Sequence, residues 1–258
     1  MALFELRGLR KAFGRHVVLS GLDLDIFAGE VVTIIGESGS GKSVLLKAMM
    51  GLLEVDEGSI RFDGEEVTGQ LEQQWTQTRR RIGMLFQESA LFDSLNVFDN
   101  VAYALHVQTT MTDEEIATRV SETLSLVGLP GIEAMAPSDL SGGMRKRVAL
   151  ARAVAVRPEV VFYDEPAEGL DPINVTRVNR LLLGLQKSLN VTSVVVTHNL
   201  KAAFAISDRL ALIHDGVVAA TGAPDAFLES EDPVVREFIG DRMRRVLRAS
   251  RSGTTLTR

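Results

Sequence analysis

The beginning of the chain alternates apolar and polar residues in a way that predicts β-strands. The alternation covers residues 3–9 and 17–26, and a shorter strand is predicted over residues 59–62. A period of two is typical of strands with one buried face, so these segments predict a small antiparallel sheet. Gly29 marks a turn into a continuous apolar run over residues 31–35. Such a run predicts a central strand that is buried on both faces.

The middle of the chain, from about residue 89 to residue 157, has the pattern of helices. Asn96 followed by Asp99 is a helix-start signal, and Thr112 followed by Glu115 forms a capping box. The helix after this capping box has an apolar face, and two breakers end it: the face comprises Ile116, Val120, Leu124 and Val127, and the breakers are Gly128 and Pro130. A third helix is predicted over residues 144–156, because Pro158 cannot continue it.

Apolar strands return after the helical segment. Residues 160–163 and 193–197 form continuous apolar runs, which are typical of parallel strands in the centre of a sheet. Residues 210–213 and 217–220, joined by Asp215-Gly216, predict a hairpin. The sequence therefore predicts an α/β fold in which a mainly parallel sheet is accompanied by an antiparallel β-subdomain and an inserted helical segment.

A phosphate-binding loop directly follows the strand over residues 31–35. Its sequence is Gly36-Glu37-Ser38-Gly39-Ser40-Gly41-Lys42-Ser43, which matches G-x-x-x-x-G-K-[ST]. Glycines let backbone N–H groups close around an anion, and the following helix points the positive end of its dipole at the phosphates. Lys42 is expected to contact the β- and γ-phosphates, and Ser43 is expected to ligate Mg²⁺.

Two adjacent acids end the predicted strand over residues 160–163. Asp164 is expected to hold Mg²⁺, and Glu165 is expected to orient or deprotonate an attacking water molecule. A second acid at this position favours hydrolysis over phosphoryl transfer to a bound substrate. The predicted cofactors are therefore ATP and Mg²⁺.

A second anion site is predicted at Leu140-Ser141-Gly142-Gly143, which precedes a helix. Ser141 and the free N–H groups of the two glycines lie at the N-terminus of that helix. Two copies of the chain that associate head-to-tail would each present this site to the nucleotide of the other. A P-loop kinase, which is one alternative, would not need this second helix end.

Together these motifs resemble those of the ATPase subunits of ABC transporters. LSGGMRKRVALARA is similar to the signature of that family, and the resemblance covers residues 1–240. It implies an ABC-type P-loop NTPase fold. It places a nucleotide-binding core with an antiparallel β-subdomain in residues 1–87 and 158–240, and a helical subdomain with the signature motif in residues 88–157. Residues 241–258 are expected to form a basic C-terminal extension.

The resemblance also implies roles for single residues. Gln87 stands at the Q-loop and is expected to link Mg²⁺ and the water site to the helical insert. His198 stands at the switch histidine, which is expected to contact the γ-phosphate and Glu165. Asp171 stands at the D-loop, which is expected to signal across the dimer, although residues 167–171 depart from the common wording of the family. Phe13 stands where an aromatic ring stacks on adenine, and it keeps the π face of the more usual tyrosine.

The predicted site has three groups of residues. The catalytic residues are Glu165, His198, Gln87 and Lys42. The residues expected to bind the nucleotide are Phe13, Gly36, Glu37, Ser38, Gly39, Ser40, Gly41, Lys42, Ser43, Ser141, Gly142, Gly143 and Asp171. The expected Mg²⁺ ligands are Ser43, Gln87 and Asp164.

The residues that follow the signature and Gln87 indicate a subgroup of the family. Met144-Arg145-Lys146-Arg147 follows LSGG where glutamines are common, and LFDSLNVFDNVAY lies downstream of Gln87. This variant resembles the ATPases of MCE-linked, Mla-type phospholipid transporters. The resemblance implies a head-to-tail homodimer, a membrane permease, an MCE-domain lipid-binding protein and a STAS-domain subunit. It also implies a peripheral location at the cytoplasmic face of the inner membrane.

The charge of the chain is unevenly distributed. The 258 residues carry a net charge of −6, but residues 241–258 hold six arginines and a single acid. The acidic remainder argues against binding of nucleic acid. The basic tail is either solvated and disordered, or binds a partner subunit or an anionic membrane surface. No cysteine is present, and no apolar run approaches the ~20 residues that span a bilayer.

Two other functions remain open at the level of the sequence. The same fold also serves import ATPases for amino acids, metals or other polar solutes. A non-transport ABC ATPase that acts on nucleic acid or ribosomes is the other alternative. Proteins of that kind usually carry two ATPase units or long coiled-coil insertions, whereas this chain has one unit and no heptad run.

Overall fold

A computed structural model describes residues 2–252 of the chain. The strands are β1 (Ala2–Phe13), β2 (His16–Phe27), β3 (Val31–Gly36), β4 (Glu57–Phe62), β5 (Glu65–Glu66), β6 (Ile82–Leu85), β7 (Val160–Asp164), β8 (Thr192–Val196), β9 (Arg209–His214) and β10 (Val217–Gly222). The helices are α1 (Lys42–Met49), α2 (Glu72–Arg79), α3 (Val97–Gln108), α4 (Asp113–Leu126), α5 (Gly142–Val154), α6 (Pro172–Leu189), α7 (Leu200–Ile206), α8 (Pro224–Glu229), α9 (Pro233–Ile239) and α10 (Asp241–Ser252).

The chain folds into two compact units, and the first unit consists of two separate stretches of the sequence. The first unit contains the beginning of the chain up to Gly69 and the part from Val196 onward. The second unit runs from Gln70 to Val195. The phosphate-binding loop lies in the first unit, whereas the signature sequence and the acidic strand end lie in the second.

The first unit contains the antiparallel sheet that the alternating sequence predicts. Its strand order is β2-β1-β4-β5, and β1 pairs with both β2 and β4 in antiparallel register. The rings of Phe4 and Phe62, which are register partners, stack with their centroids 4.6 Å apart. The sheet therefore buries one face, as its period of two requires.

A second set of strands in the first unit carries the phosphate-binding loop. β3 pairs in parallel with β9, and β9 pairs antiparallel with β10 in the predicted hairpin. Every residue of β3 is buried. The helices α7 to α10 cover this part of the unit through one apolar cluster, which includes Ile35, Phe204, Leu212, Phe227 and Leu247. The continuous apolar run of β3 is thus explained by burial on both faces.

The basic C-terminal segment forms a helix through Ser252, so the predicted alternative of a disordered tail is wrong for this part of it. Leu247 of α10 is buried in the apolar cluster of the first unit. Arg244 donates a hydrogen bond to the carbonyl of Ser230 at 3.0 Å, and Arg248 donates one to the carbonyl of Leu228 at 2.7 Å. The remainder of the predicted extension, residues 253–258, lies outside the described residues.

The second unit contains the helices of the middle of the chain. α3 and α4 pack with α5 around buried residues such as Val101, Leu124 and Val148. The predicted capping box is present: Thr112 accepts from Glu115 N, and the carboxylate of Glu115 accepts from Thr112 N. The helix α5 begins at Gly142, two residues before its predicted start, because Ser141 caps it.

The strands of the second unit follow the order β8-β7-β6. β6 and β7 are parallel, and Leu85 is the register partner of Tyr163. The helix α5 packs closely on β6, since a Cβ atom added at Gly83 would collide with the carbonyl of Ala153. This contact holds the C-terminal end of α5 against β6.

Several elements were not predicted from the sequence, and α6 is the longest of them. Its signals are nevertheless regular: Asp171 caps it, Pro172 occupies its first position, and its buried residues are Val178, Leu182 and Leu185. Strand β6 and helix α2 were also missed, because short elements carry little periodicity. Within residues 2–252, no helix combines the length and apolar character needed to cross a membrane.

Candidate nucleotide and magnesium site

The phosphate-binding loop is tightly packed within the first unit. Gly36 ends β3, and a Cβ atom there would lie 2.5 Å from the carbonyl oxygen of Ile213 and 2.6 Å from the hydroxyl of Ser40. Gly41 has a φ of +97° and caps α1. A residue with a side chain would be strained in that left-handed region. These two glycines therefore allow the strand to turn into the helix around an open loop.

Lys42 lies across this loop instead of extending into solvent. Its side chain is buried, with 7% exposed, and its ammonium group donates hydrogen bonds to the carbonyls of Gly36 at 3.0 Å and Glu37 at 2.7 Å. The hydroxyl of Ser40 is buried and has no hydrogen-bond partner among residues 2–252. A cation and an unsatisfied hydroxyl inside a ring of backbone N–H groups fit a bound phosphate chain.

A cavity of about 380 Å³ adjoins the loop within the first unit. It is lined by His16, Val17, Val18, Glu37, Ser38, Gly39, Ser40, Ile213, His214, Asp215 and Gly216. Phe13 stands at the end of β1, where it is the register partner of His16. Its ring is 49% exposed, and the ammonium group of Lys11 lies 5.7 Å from its centroid. The exposed ring face is consistent with stacking on a planar base.

His198 lies in the turn between β8 and α7, on the surface of the first unit. The residue before it, Thr197, donates from its backbone N–H to the carbonyl of Ile34 at 3.3 Å. Ile34 belongs to β3, two residues before Gly36. The residue after His198, Asn199, caps α7 by accepting from Ala202 N. The turn that carries the histidine is thus fastened to the strand that leads into the phosphate loop.

The acidic strand end lies in the second unit. Asp164 is the last residue of β7, and Glu165 follows it with a φ of +46°. The left-handed region is unusual for a residue other than glycine, and it costs about 1–2 kcal/mol. Pro166 and the turn through Glu168 follow, with Glu168 N donating to the carbonyl of Glu165 at 3.1 Å. Both acids are half-buried.

Gln87 is close to the acidic strand end because β6 and β7 are parallel neighbours. It stands two residues after Leu85, the partner of Tyr163, at the same edge as Asp164. Its side-chain amide donates a hydrogen bond to the carboxylate of Glu168. Amide and carboxylate oxygens are ligands that Mg²⁺ accepts, so Gln87 and Asp164 form a suitable donor set.

Lys146 connects these residues to the signature helix. It is buried, and its ammonium group donates to the carbonyls of Gln87 at 2.5 Å and Glu165 at 3.3 Å. Burial lowers the pKa of Lys146, an effect opposed by the carboxylates of Glu168, Glu165 and Asp164. Lys146 was not predicted from the sequence as part of the site. Its only signal was the replacement of the usual glutamines after LSGG.

The signature turn stands at the other end of α5. Ser141 caps the helix by accepting from Met144 N at 3.3 Å, and Ser141 and Gly142 are exposed. Gly143 lies near the helix cap of α6: its Cβ position would be 3.5 Å from the side chain of Asn174. Asn174 in turn donates to the carboxylate of Asp171 at 2.5 Å.

Asp171 has a local structural function as well as its predicted one. Its carboxylate accepts from Ile173 N at 3.0 Å and from Asn174 N at 3.1 Å, so it caps α6. The backbone N–H and then the side chain of Asn174 lower the pKa of Asp171. The signature turn and the predicted D-loop residue are therefore neighbours in the second unit.

A family model described as "ABC transporter" matches residues 19–168, more than half of the chain. The chain belongs to the ABC transporter family. The resemblance inferred from the motifs is confirmed, and this ABC protein is an ATP-binding subunit with ATPase activity.

Curated relatives of this ABC ATPase align with most of it. The intermembrane phospholipid transport system ATP-binding protein MlaF of Haemophilus influenzae is 38% identical over 237 residues, covering 92% of the chain and 90% of the relative. The probable ribonucleotide transport ATP-binding protein Mkl of Mycobacterium leprae is 39% identical over 238 residues. The chain spans 69% of the length of that protein and 66% of the length of its Mycobacterium tuberculosis counterpart.

Solved structures confirm the fold of this ABC ATPase. The dimeric structure of the ATP-binding cassette MJ0796 in a post-hydrolysis state with ADP and Pi has a TM-score of 0.78 and 31% identity. It covers 86% of this chain, and the chain covers 98% of it. The predicted fold class, with parallel strands and an antiparallel sheet, is thereby confirmed.

Proposed function

We propose that this ABC ATPase powers the movement of phospholipid between membranes as part of an MCE-linked transporter. The observation that carries the proposal is the alignment with MlaF of Haemophilus influenzae, which extends over 90% of that protein. The segment Met144-Arg145-Lys146-Arg147 after LSGG supports the same subgroup. Identity near this level over nearly the whole of both chains supports a common partner set and a common cargo.

The first unit would hold the nucleotide. Phe13 stacks on adenine through its exposed ring, and the loop wraps the phosphates with its backbone N–H groups. Lys42 exchanges its two carbonyl acceptors for β- and γ-phosphate oxygens. The full set of contacts from this unit is Phe13, Gly36, Glu37, Ser38, Gly39, Ser40, Gly41, Lys42 and Ser43.

Hydrolysis would depend on carboxylate, amide and imidazole groups. Ser43, Gln87 and Asp164 would hold Mg²⁺, and the bound ion would neutralise charge on the phosphate oxygens. Glu165 would accept a proton from the attacking water. His198 would contact the γ-phosphate.

Two copies would act as a head-to-tail dimer. Ser141, Gly142 and Gly143 of one copy bind the phosphates held by the loop of the other, since Ser141 and Gly142 are exposed at a helix N-terminus. Asp171, joined to this turn through Asn174, transmits the closure of the dimer. The dimeric structure of MJ0796 supports the association of two copies.

A groove in the second unit would receive the permease. A cavity of about 390 Å³ there is lined by Phe86, Phe92 and Tyr103 among other residues, and these three rings are 39%, 43% and 49% exposed. Arg152 fastens the wall of the groove by donating to the carbonyls of Ser89 at 2.9 Å and Ala90 at 2.6 Å. Exposed aromatic side chains of this kind are enriched at protein interfaces.

The groove has a direct test. Tyr103→Asp should abolish co-purification of the permease while ATP binding is kept. Leu126→Asp is the matched control, because Leu126 is 45% exposed on α4 and lies outside the lining of the groove. Equal loss of the permease with both variants would contradict docking at the groove.

The remaining assignments follow from this proposal. The partners are a permease, an MCE-domain lipid-binding protein and a STAS-domain subunit, and the complex does not include nucleic acid. The chain is peripheral at the cytoplasmic face of the inner membrane. The nucleotide-binding core comprises residues 1–87 and 158–240, the helical subdomain residues 88–157, and the basic extension residues 241–258.

A second candidate function is import of a polar solute. It is favoured by one specific observation, namely that the relative Mkl of Mycobacterium leprae is named for probable ribonucleotide transport. That protein, however, is matched over only 69% of its length. The two candidates share the ATPase and differ in the cargo.

Purification of the complex distinguishes the two functions. The full chain is tagged and extracted from membranes, its subunits are identified by mass spectrometry, and bound lipid is quantified against an untagged extract. We expect an MCE-domain subunit, enrichment of phospholipid, and ATPase activity that rises with added phospholipid. A solute-binding subunit, with stimulation by ribonucleotide and no lipid enrichment, would replace the proposal with import of a polar solute.

A further inference from the structure

Lys146 is a buried cation on the signature helix α5. It lies on α5, five residues after the capping Ser141, and only 6% of it is exposed. Lysine is almost never this buried unless its ammonium group is compensated, because removal of a charge from water is costly. The groups around this ammonium group therefore indicate what a lysine does at this position.

The ammonium group joins two segments that are far apart in the sequence. It donates to the carbonyl of Gln87 at 2.5 Å, 59 residues before it, and to the carbonyl of Glu165 at 3.3 Å, 19 residues after it. Both acceptors lie just beyond the ends of parallel strands, β6 and β7. One side chain of the signature helix thus contacts the backbone of two residues with proposed roles in hydrolysis.

The second of these hydrogen bonds acts on an unusual backbone. Glu165 has a φ of +46°, in the left-handed region that non-glycine residues rarely adopt. That conformation sets the direction of both the carbonyl group and the side chain of Glu165. A donor fixed on α5 stabilises the conformation only while α5 keeps its position.

The charge of the ammonium group is compensated by its neighbours. The carboxylates of Glu168, Glu165 and Asp164 interact with it electrostatically. Glu168 also accepts from the side-chain amide of Gln87. The cation therefore lies among the carboxylates around the strand ends, and it balances part of their mutual repulsion.

We propose that Lys146 is a positioning residue for ATP hydrolysis, which holds Gln87 and Glu165 in register with the signature helix through their carbonyl groups. It acts through these two residues without contacting the nucleotide. A movement of α5 would therefore move Glu165, the proposed base that activates water. This inference rests on the proposed role of Glu165 as the base.

The test compares three lysine variants with Glu165→Gln in the full chain, purified with its co-purifying membrane subunits. Lys146→Met keeps the length of the side chain and removes both the charge and the donors. Lys146→Gln keeps a donor without the charge. Lys187→Met is the control, because Lys187 is exposed on α6 in the same unit. The ATPase kcat, the KM for ATP and the thermal unfolding midpoint are measured for each.

We expect Lys146→Met to lower kcat at least tenfold with a KM for ATP within threefold of wild type. Lys146→Gln should fall between Lys146→Met and wild type, because it retains a donor, and Lys187→Met should match wild type. If Lys146 had only a structural role, its replacement would lower the unfolding midpoint or weaken the binding of ATP. It would not lower kcat while leaving KM nearly unchanged.

The outcomes that overturn the inference are distinct from those that overturn the proposed function. An unchanged kcat for Lys146→Met, or a tenfold rise in KM with kcat unchanged, refutes the positioning role. If Lys146→Met does not fold, an unchanged kcat for Lys146→Gln refutes it, and a reduced kcat with unchanged KM supports it. Normal turnover by Glu165→Gln removes the base assignment on which the inference rests. An inactive Glu165→Gln with a fully active Lys146→Met rejects the role of Lys146 alone.

Discussion

The side-chain amide of Gln87 donates a hydrogen bond to the carboxylate of Glu168, 81 residues further along the chain. Both side chains belong to the second unit and both are exposed. The contact joins the loop after β6 to the turn after β7. The amide nitrogen makes this contact, so the amide oxygen stays available to ligate Mg²⁺, and Glu168 orients the side chain for the role proposed for Gln87.

Replacement of Glu168 should weaken the binding of Mg²⁺. In Glu168→Ala the side chain of Gln87 loses the acceptor that orients its amide group. Because an exposed hydrogen bond is worth only about 0.5–1 kcal/mol, we expect the Mg²⁺ concentration for half-maximal ATPase activity to rise about two- to fivefold. The measurement is a Mg²⁺ titration at saturating ATP. Glu122→Ala, an exposed carboxylate on α4, serves as the control. An unchanged or lower Mg²⁺ requirement would contradict the orienting role of Glu168.

Replacement of Lys42 should weaken binding of ATP without loss of the fold. Its ammonium group donates to the carbonyls of Gly36 and Glu37, and phosphate oxygens are stronger acceptors than these. Loss of the charged donor in Lys42→Met should cost about 2–3 kcal/mol, which raises the Kd for ATP about 30- to 150-fold. Titration calorimetry measures this Kd. Lys47→Met, an exposed lysine of the same helix, should bind ATP as wild type does. Tight binding by Lys42→Met would exclude the phosphate contact.

The glycine that ends β3 should not tolerate a methyl group. In Gly36→Ala the new Cβ atom would lie 2.5 Å from the backbone carbonyl of Ile213, which cannot move without disturbing β9. Overpacking of this kind costs about 1–3 kcal/mol of unfolding free energy. Gly184→Ala, in α6 with open space around the site, should instead stabilise the protein by about 0.5–1 kcal/mol. Urea unfolding measures both variants, and equal midpoints would contradict the packing described for the loop.

The cap of α6 should make stability sensitive to acid. Hydrogen bonds from Asn174 lower the pKa of Asp171 in the folded state below its ordinary value of about 3.9. Its contribution is therefore complete above that value and is lost as the pH falls through the folded pKa. In Asp171→Asn the cap no longer titrates. We expect the difference in urea midpoint between wild type and variant to shrink between pH 6 and pH 3, and a constant difference would refute the prediction.

The sequence by itself determined the local chemistry of the site. The phosphate loop, the Asp164-Glu165 pair and the LSGG turn are recognisable because each depends on backbone conformations and helix ends that a few adjacent residues specify. The buried run of β3 and the capping box at Thr112 were predicted for the same reason, and the structure confirms both. The family followed from the combination of these local motifs.

Only the tertiary structure decided how the motifs are connected. Lys146 is one lysine in a basic run, and no periodicity shows that it is buried against the carbonyls of Gln87 and Glu165. That contact requires β6 and β7 to be parallel neighbours and α5 to pack closely on β6 at Gly83. Pairing of strands and packing of helices bring together residues that are distant along the chain. Which residues meet in the site is therefore determined by the packed fold, and a local sequence pattern cannot specify it.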